Sequence, residues 1–213
     1  MIPYKPMPLT SSVPYPEYNS NNIMVFDDYL PQYLVNDGIH QLSLMQWEYG
    51  HVTDANNLEN DVFFGRQLYH KLQGGVQAQF PAIVSNLTAA IERIIAPQID
   101  PNATFQGIYR ISANGYTQNM KVGPHIDTRE CNTLWTAVYM ANISDGALTF
   151  YTNNTDNIKT DSIEFVPGRI VVFPSGYTHE AEAPVQSKWR VTIGIMFDLD
   201  TRRQYDNTTS NNS

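Results

Sequence analysis

The rhythm of apolar and polar positions changes near residue 104. Before that point, apolar residues recur at helical intervals or without a period. After it, they come in short alternating or β-branched runs cut by turn clusters. In the first half, Ile83, Val84, Leu87, Ala90, Ile91, Ile94 and Ile95 fall on one helical face. That face predicts a helix from Pro81, which is tolerated in a first turn, with Pro97 as its stop. Upstream, Ile23 to Phe26 reads as a strand. Asp27 and Asp28 are then expected to cap a second helix, in which Leu34, Ile39, Leu42 and Leu44 fit a 3.6-residue period loosely. Residues 51–75 are polar, contain Gly and predict a loop or short turns. In the second half, the runs FQGIYRIS, TLWTAVYMA, ALTFYT, SIEFV, RIVVF, THEAEA and WRVTIGIMF predict strands. Asn114-Gly115, Ser144-Asp145-Gly146, Pro167-Gly168 and Pro174-Ser175-Gly176 stand between them as expected turns. Seven or eight strands after two helices make the chain mainly β with N-terminal helices. The expected architecture is helices packed on an antiparallel double sheet, a jelly roll closing a pocket.

Composition narrows this picture. A length of 213 residues suits one domain with a sizeable core, and 42% hydrophobic content is that of a folded protein. Residues 1–22, rich in Pro, Ser, Asn and Tyr, have no period and are expected to form an extended arm, with Tyr4, Tyr15 and Tyr18 available to pack on the domain. The domain itself is expected over 23–198, and residues 199–213 as a flexible tail. The net charge of −8 opposes a phosphate backbone, and the pair Arg202-Arg203 is too short to form a basic stripe; no nucleic-acid partner is expected. No apolar run has membrane-spanning length, and the N-terminus lacks the apolar core of a secretory signal, so a cytoplasmic protein is expected. One cysteine, Cys131, permits no intramolecular disulfide.

Candidate chemistry lies in the β-rich half. His125 and Asp127 are separated by one residue, and on a strand such positions share a face. His179 follows a Pro-Ser-Gly turn far downstream, where a rolled sheet brings distant strands together. Two imidazoles and one carboxylate form the facial ligand set of non-heme Fe(II), and the lack of further cysteines argues against structural zinc. The HxD triplet alone is weak, since a surface His and Asp at a turn give the same pattern. Arg190 opens the apolar strand WRVTIGIMF, where a buried cation requires a partner. A ligand carboxylate is one such partner; Glu180 or Glu182 on a neighbouring strand is another. Thr192 shares the face of Arg190. His40, His51 and His70 lie in the helical half and are taken as structural or exposed.

The segments His125-Ile126-Asp127, DGALTFY at 145–151, PGRIVVFPSGYTH at 167–179, and Arg190 with Thr192 resemble the 2-oxoglutarate and Fe(II)-dependent dioxygenases, within them the prolyl 4-hydroxylase-like branch. Small members of that kind are familiar from bacteria and phages. The resemblance spans residues 23–198 and implies a double-stranded β-helix, cupin-like core with Fe(II) on His125, Asp127 and His179. It further implies 2-oxoglutarate as co-substrate, its distal carboxylate on Arg190 with help from Thr192 and Tyr116. O₂ is consumed, succinate and CO₂ are released, and ascorbate supports turnover. Tyr116 by itself reads as a packed aromatic, and Leu148 as a core residue that lines the pocket in the family pattern. Collagen-type prolyl 4-hydroxylases usually carry Lys where this chain has Arg190, which weakens the collagen analogy. Nucleic-acid demethylases of the superfamily usually place a second Arg six residues after the first, and here that position is Met196. The resemblance thus implies hydroxylation of a C–H bond, first of a prolyl residue in a peptide or protein. A free amino acid or other small molecule is the alternative substrate, and a non-catalytic β-roll is the alternative from another class.

Overall fold

A computed structural model describes residues 18–52, 62–120, 122–128, 133–152 and 158–200. The first helix, α1, spans Gln32–Ser43. A near-continuous helical stretch follows later: α2 over Ala82–Ala90, a π-helical stretch over Ile91–Ile95, and α3 over Ala96–Ile99. The strands are β1 (Met24–Phe26), β2 (Glu48–Val52), β3 (Val62–His70), β4 (Gly75–Val76), β5 (Thr104–Thr117) and β6 (Leu134–Met140). They continue as β7 (Leu148–Tyr151), β8 (Lys159–Ile163), β9 (Ile170–Pro174), β10 (His179–Ala181) and β11 (Trp189–Asp200). The large sheet runs β1-β9-β6-β11-β5-β3-β2, with β4 paired to β3, and the small sheet runs β10-β7-β8. Every pairing in both sheets is antiparallel.

The period of two along β11 explains the layering. Val191, Ile193, Ile195 and Phe197 join the helices' Val35, Leu42, Ile83 and Leu87 in one apolar cluster on the outer face of the large sheet. The alternate residues, Arg190, Thr192 and Met196, turn to the inner face. There β6 and β9 place Val138, Met140, Val171 and Phe173 against Leu148 and Phe150 of the small sheet. The helices therefore cover one side of the sheet, and the roll keeps the other for a pocket. This is the mainly β, jelly-roll architecture expected from the pattern. No helix among the described residues is long and apolar enough to cross a membrane.

Four local expectations are corrected. Val62–His70 lies inside the stretch read as a loop, yet it is a nine-residue strand. A bulge between Gln67 and Tyr69 shifts its register and breaks the alternation that would have announced it. Residues 53–61 lie outside the described residues. Asn114-Gly115 is no turn: β5 runs straight through it, with Gly115 opposite Val191 and Phe64. A Cβ at Gly115 would run into the indole of Trp189, so this glycine serves close packing rather than chain reversal. The helix also passes Pro97, because the π stretch widens the coil where the proline ring would meet a carbonyl one turn back. Asp27 and Asp28 do not cap α1, whose N-cap is Pro31 without a side-chain bond. Asp27 instead takes a fork of two bonds from Arg169, at 2.8 and 2.9 Å.

At the termini, Tyr18 packs its ring against Tyr177 and bonds Asp161. The main-chain N–H of Asn19 and the amide of Asn22 donate to the Tyr177 hydroxyl. The remainder of the expected arm, with Tyr4 and Tyr15, lies outside the described residues. At the other end, β11 continues two residues into the expected tail, burying Leu199; residues 201–213 lie outside the described residues.

Candidate active site

The segment before β6 carries His125 and Asp127, and it is not a ladder strand. His125 makes a single bridge to His179, each donating its main-chain N–H to the other's carbonyl at 2.9 Å. Two residues on, the N–H of Asp127 donates to the Ser175 carbonyl at 3.2 Å. This short extended stretch sets the two side chains on one side, as the i, i+2 spacing predicts. The imidazole rings of His125 and His179 stand 4.5 Å apart, and His179 Nε2 lies 3.9 Å from Asp127 Oδ2. One ligand-type atom from each of His125, Asp127 and His179 lies within 4.8 Å of the others.

Each histidine is oriented by its own chain. His125 Nδ1 lies 3.2 Å from the Gly123 carbonyl, and His179 Nδ1 lies 3.0 Å from the Tyr177 carbonyl. A carbonyl only accepts, so the neutral rings carry their proton on Nδ1 and leave the Nε2 lone pair available to a metal. Burial, together with neighbouring His179, pulls His125 down to about 4. Asp127 is held below the usual carboxylate range: burial alone would raise it, but His179, Arg110, His125 and the Thr136 hydroxyl together outweigh that. A deprotonated carboxylate beside two imidazoles with free Nε2 atoms suits a divalent metal.

The carboxylate is gripped on both oxygens. Arg110 Nη2 donates to Oδ1 at 2.9 Å, and Thr136 Oγ1 donates to Oδ2 at 2.6 Å. With its proton so committed, Thr136 Oγ1 accepts from the Ser175 hydroxyl, 2.8 Å away and fully buried. Sequence reasoning missed Arg110, Thr136 and Ser175. The signal for Arg110 was present: Arg110, Ser112, Asn114 and Tyr116 alternate with buried Ile111 and Ala113, but reading a turn at Asn114-Gly115 interrupted that pattern.

Arg190 lies beside Tyr116, one of the residues that line the pocket. It is fully buried, Nε donates to the Gly146 carbonyl at 3.3 Å, and neither terminal nitrogen has a hydrogen-bond partner. The acids weighed as partners are engaged elsewhere, Glu182 with Lys159 and Thr149, Glu180 with Tyr151. Burial pulls Arg190 down to about 10, while Tyr116 and Glu182 act in the other direction. Its guanidinium sits over the rings of Phe165 and Tyr116, at 4.9 and 5.5 Å from their centroids. Tyr116 pairs in register with Arg190, and Thr192 is buried one pleat further on. Leu148 lines the cavity between these residues and the histidines, as expected. His40, His51 and His70 take no part in it: His40 is exposed, His51 neighbours Glu48, and His70 caps a short turn through Nδ1.

A family model described as the 2OG-Fe(II) oxygenase superfamily matches residues 111–196, the span that holds the histidines, the aspartate and Arg190. Among curated proteins, none matches the chain by sequence. Solved structures of similar fold include a 2OG-Fe(II) oxygenase-family oxidoreductase from Burkholderia pseudomallei, with TM-score 0.65 and 13% identity over 84% of this chain and 85% of that one. A prolyl-4-hydroxylase from Pseudomonas putida gives 0.59 and 18%, over 83% and 92%. A prolyl hydroxylase from Trichoplax adhaerens, in complex with a hypoxia inducible factor peptide, gives 0.60 and 14%, over 84% of each chain. An α-ketoglutarate-dependent epimerase from nogalamycin biosynthesis shares the fold as well, at 13% identity. At such identities these likenesses show the fold, and with the family match they bear out the resemblance to the 2-oxoglutarate and Fe(II)-dependent oxygenases.

Proposed function

We propose that the chain is an Fe(II)- and 2-oxoglutarate-dependent dioxygenase that hydroxylates a C–H bond, first of all in a prolyl residue of a peptide or protein. In this reading His125, Asp127 and His179 hold the metal, and Arg190, with Thr192 and Tyr116, holds the distal carboxylate of 2-oxoglutarate. The observation that carries it is Arg190. A fully buried guanidinium with two unpartnered nitrogens, packed on Tyr116 of the pocket that holds the His-Asp-His cluster, calls for an anionic ligand that reaches both. 2-Oxoglutarate has that form, an acid at one end and a chelating oxo acid at the other. Iron held by His125, Asp127 and His179 would, with 2-oxoglutarate and O₂, supply the oxidation of a substrate C–H bond, with succinate and CO₂ as the co-products.

The protein's own part is positional. Gly123 and Tyr177 carbonyls fix the histidine rings, while Arg110 and Thr136 fix the carboxylate. The aromatic walls of Phe165 and Tyr116 keep water from the co-substrate's anchor. The catalytic unit is read as residues 23–198, extended by the last two residues of β11, Leu199 and Asp200. Support for a prolyl substrate comes from the two prolyl hydroxylases of similar fold. The epimerase of the same fold favours a small molecule as the second reading. A non-catalytic β-roll is disfavoured, since such a module has no need of a metal cluster and a buried cation together.

The test is succinate formation from 2-oxoglutarate under Fe(II), ascorbate and air, with and without a proline-rich peptide, in wild type and His179→Ala. Peptide-stimulated turnover lost in the variant is the expected result. Turnover indifferent to the peptide moves the substrate to small molecules, and failure to bind either iron or 2-oxoglutarate rejects the enzyme.

A further inference from the structure

The carboxylate of the cluster carries an unusual burden. A metal-binding imidazole is a neutral donor, so Asp127 is the one anionic ligand the cluster offers, and Arg110 places a permanent positive charge directly on its Oδ1. Thr136 occupies Oδ2, backed by Ser175. Among the described residues Arg110 forms no other ion pair, and its side chain retains 32% exposure at the pocket. Met196 faces Arg110 across the β5–β11 ladder and adds no charge. The cluster thus presents two neutral donors and a carboxylate whose charge is largely offset.

We propose that Arg110 is a positioning residue that biases the bound iron toward the ferrous state and slows its oxidation by air. The inference rests on the iron reading above. Repulsion between the guanidinium and a metal ion grows in proportion to the ion's charge, so Arg110 disfavours Fe(III) more than Fe(II). The side reaction it opposes is loss of one electron from Fe(II) to O₂, giving Fe(III) and superoxide. A site with this cation attached to its carboxylate needs less external reductant than the same ligands without it. Arg110 also adds a hydrogen bond, so charge and geometry must be separated.

Two conservative variants do so: Arg110→Lys keeps the charge, and Arg110→Gln keeps a hydrogen-bond donor. Each is loaded with iron, and the Fe(III)/Fe(II) midpoint potential and the ferrous lifetime in air (followed by the ferric EPR signal) are compared with wild type. Arg110→Gln is expected to shift the ratio at least tenfold toward Fe(III), a fall of about 59 mV for one electron, with a several-fold shorter lifetime and greater dependence on ascorbate. Arg110→Lys is expected to stay within about twofold of wild type, the difference a retained charge allows. A potential unchanged in Arg110→Gln overturns the proposal, as does an equal shift in both variants, which assigns the effect to geometry. A Co(II) titration followed by its visible spectrum is run alongside; wild-type protein that takes up no metal overturns this inference together with the functional reading, and a normal titration with an unchanged potential overturns this one alone.

Discussion

At the scale of single residues, the site is defined by what its groups lack. Arg190 has no acidic partner within bonding distance and two nitrogens without acceptors, which costs stability in the ligand-free protein. Arg190→Met is therefore expected to melt at the same or a higher temperature than wild type while losing about 2–3 kcal/mol of 2-oxoglutarate binding, roughly a hundredfold, in titration calorimetry. A lower melting temperature with intact binding would contradict its role as anchor. His125 gives a pH signature. Its value in the fold, about 4, lies below the ordinary 6.5. The unfolded chain thus takes up a proton between those values that the folded one refuses. Metal-free protein should lose stability as pH falls from about 6.5 to about 4, by about 3 kcal/mol from this group, and urea unfolding of His125→Gln should lack that component. The HxD pair and distant His179 were legible in the sequence because residue type, their place in the β-rich half and the likeness of the flanking segments to a known family together single them out. Arg110, Thr136 and Ser175 were not, because each matters only through contact with Asp127.

At the scale of elements, β11 and β5 do most to build the pocket. Along β11 the apolar alternation is unbroken, so its inner and outer faces were readable before the fold was known. β5 hid the same alternation behind Asn114-Gly115, a dipeptide that favours a turn when no neighbour constrains it. In the fold, Trp189 lies over Gly115 and the ladder continues on both sides. Gly115→Ala is expected to destabilise by about 1–3 kcal/mol, because the new methyl must displace the indole; an unchanged urea midpoint would show that Trp189 moves freely. β3 was missed for a related reason. Its bulge and polar residues Arg66 and Gln67 remove the period, and pairing with β5 rather than composition makes it a strand. The loop after Asp145 depends on tertiary contact too: that carboxylate accepts three main-chain N–H bonds from Val185, Gln186 and Ser187, which holds its pKa well below normal. This pins the segment leading into Arg190.

At the scale of the whole molecule, helices on one face and the small sheet on the other leave a pocket of mixed polar and apolar lining inside the roll. Fe(II) and 2-oxoglutarate, bound by the folded state alone, should raise the melting temperature together. At a hundredfold excess over Kd the gain is about 2.7 kcal/mol. A thermal scan in which neither ligand shifts the transition would count against the functional reading. The sequence by itself determined the mainly β class, the helix over 81–95 and the apolar faces of the late strands, and it put forward His125, Asp127 and His179 as candidates. These follow from periodicity and residue chemistry, which act locally or by type. Tertiary structure decided that Asn114-Gly115 lies within a strand, that Val62–His70 pairs into the sheet, that Arg190 lacks an acidic partner, and that Arg110 sits on the carboxylate of Asp127. The physical reason is common to all four. Each is fixed by a neighbour from a distant part of the chain, through a pairing, a close contact or a charge, and no local pattern records which neighbour will arrive.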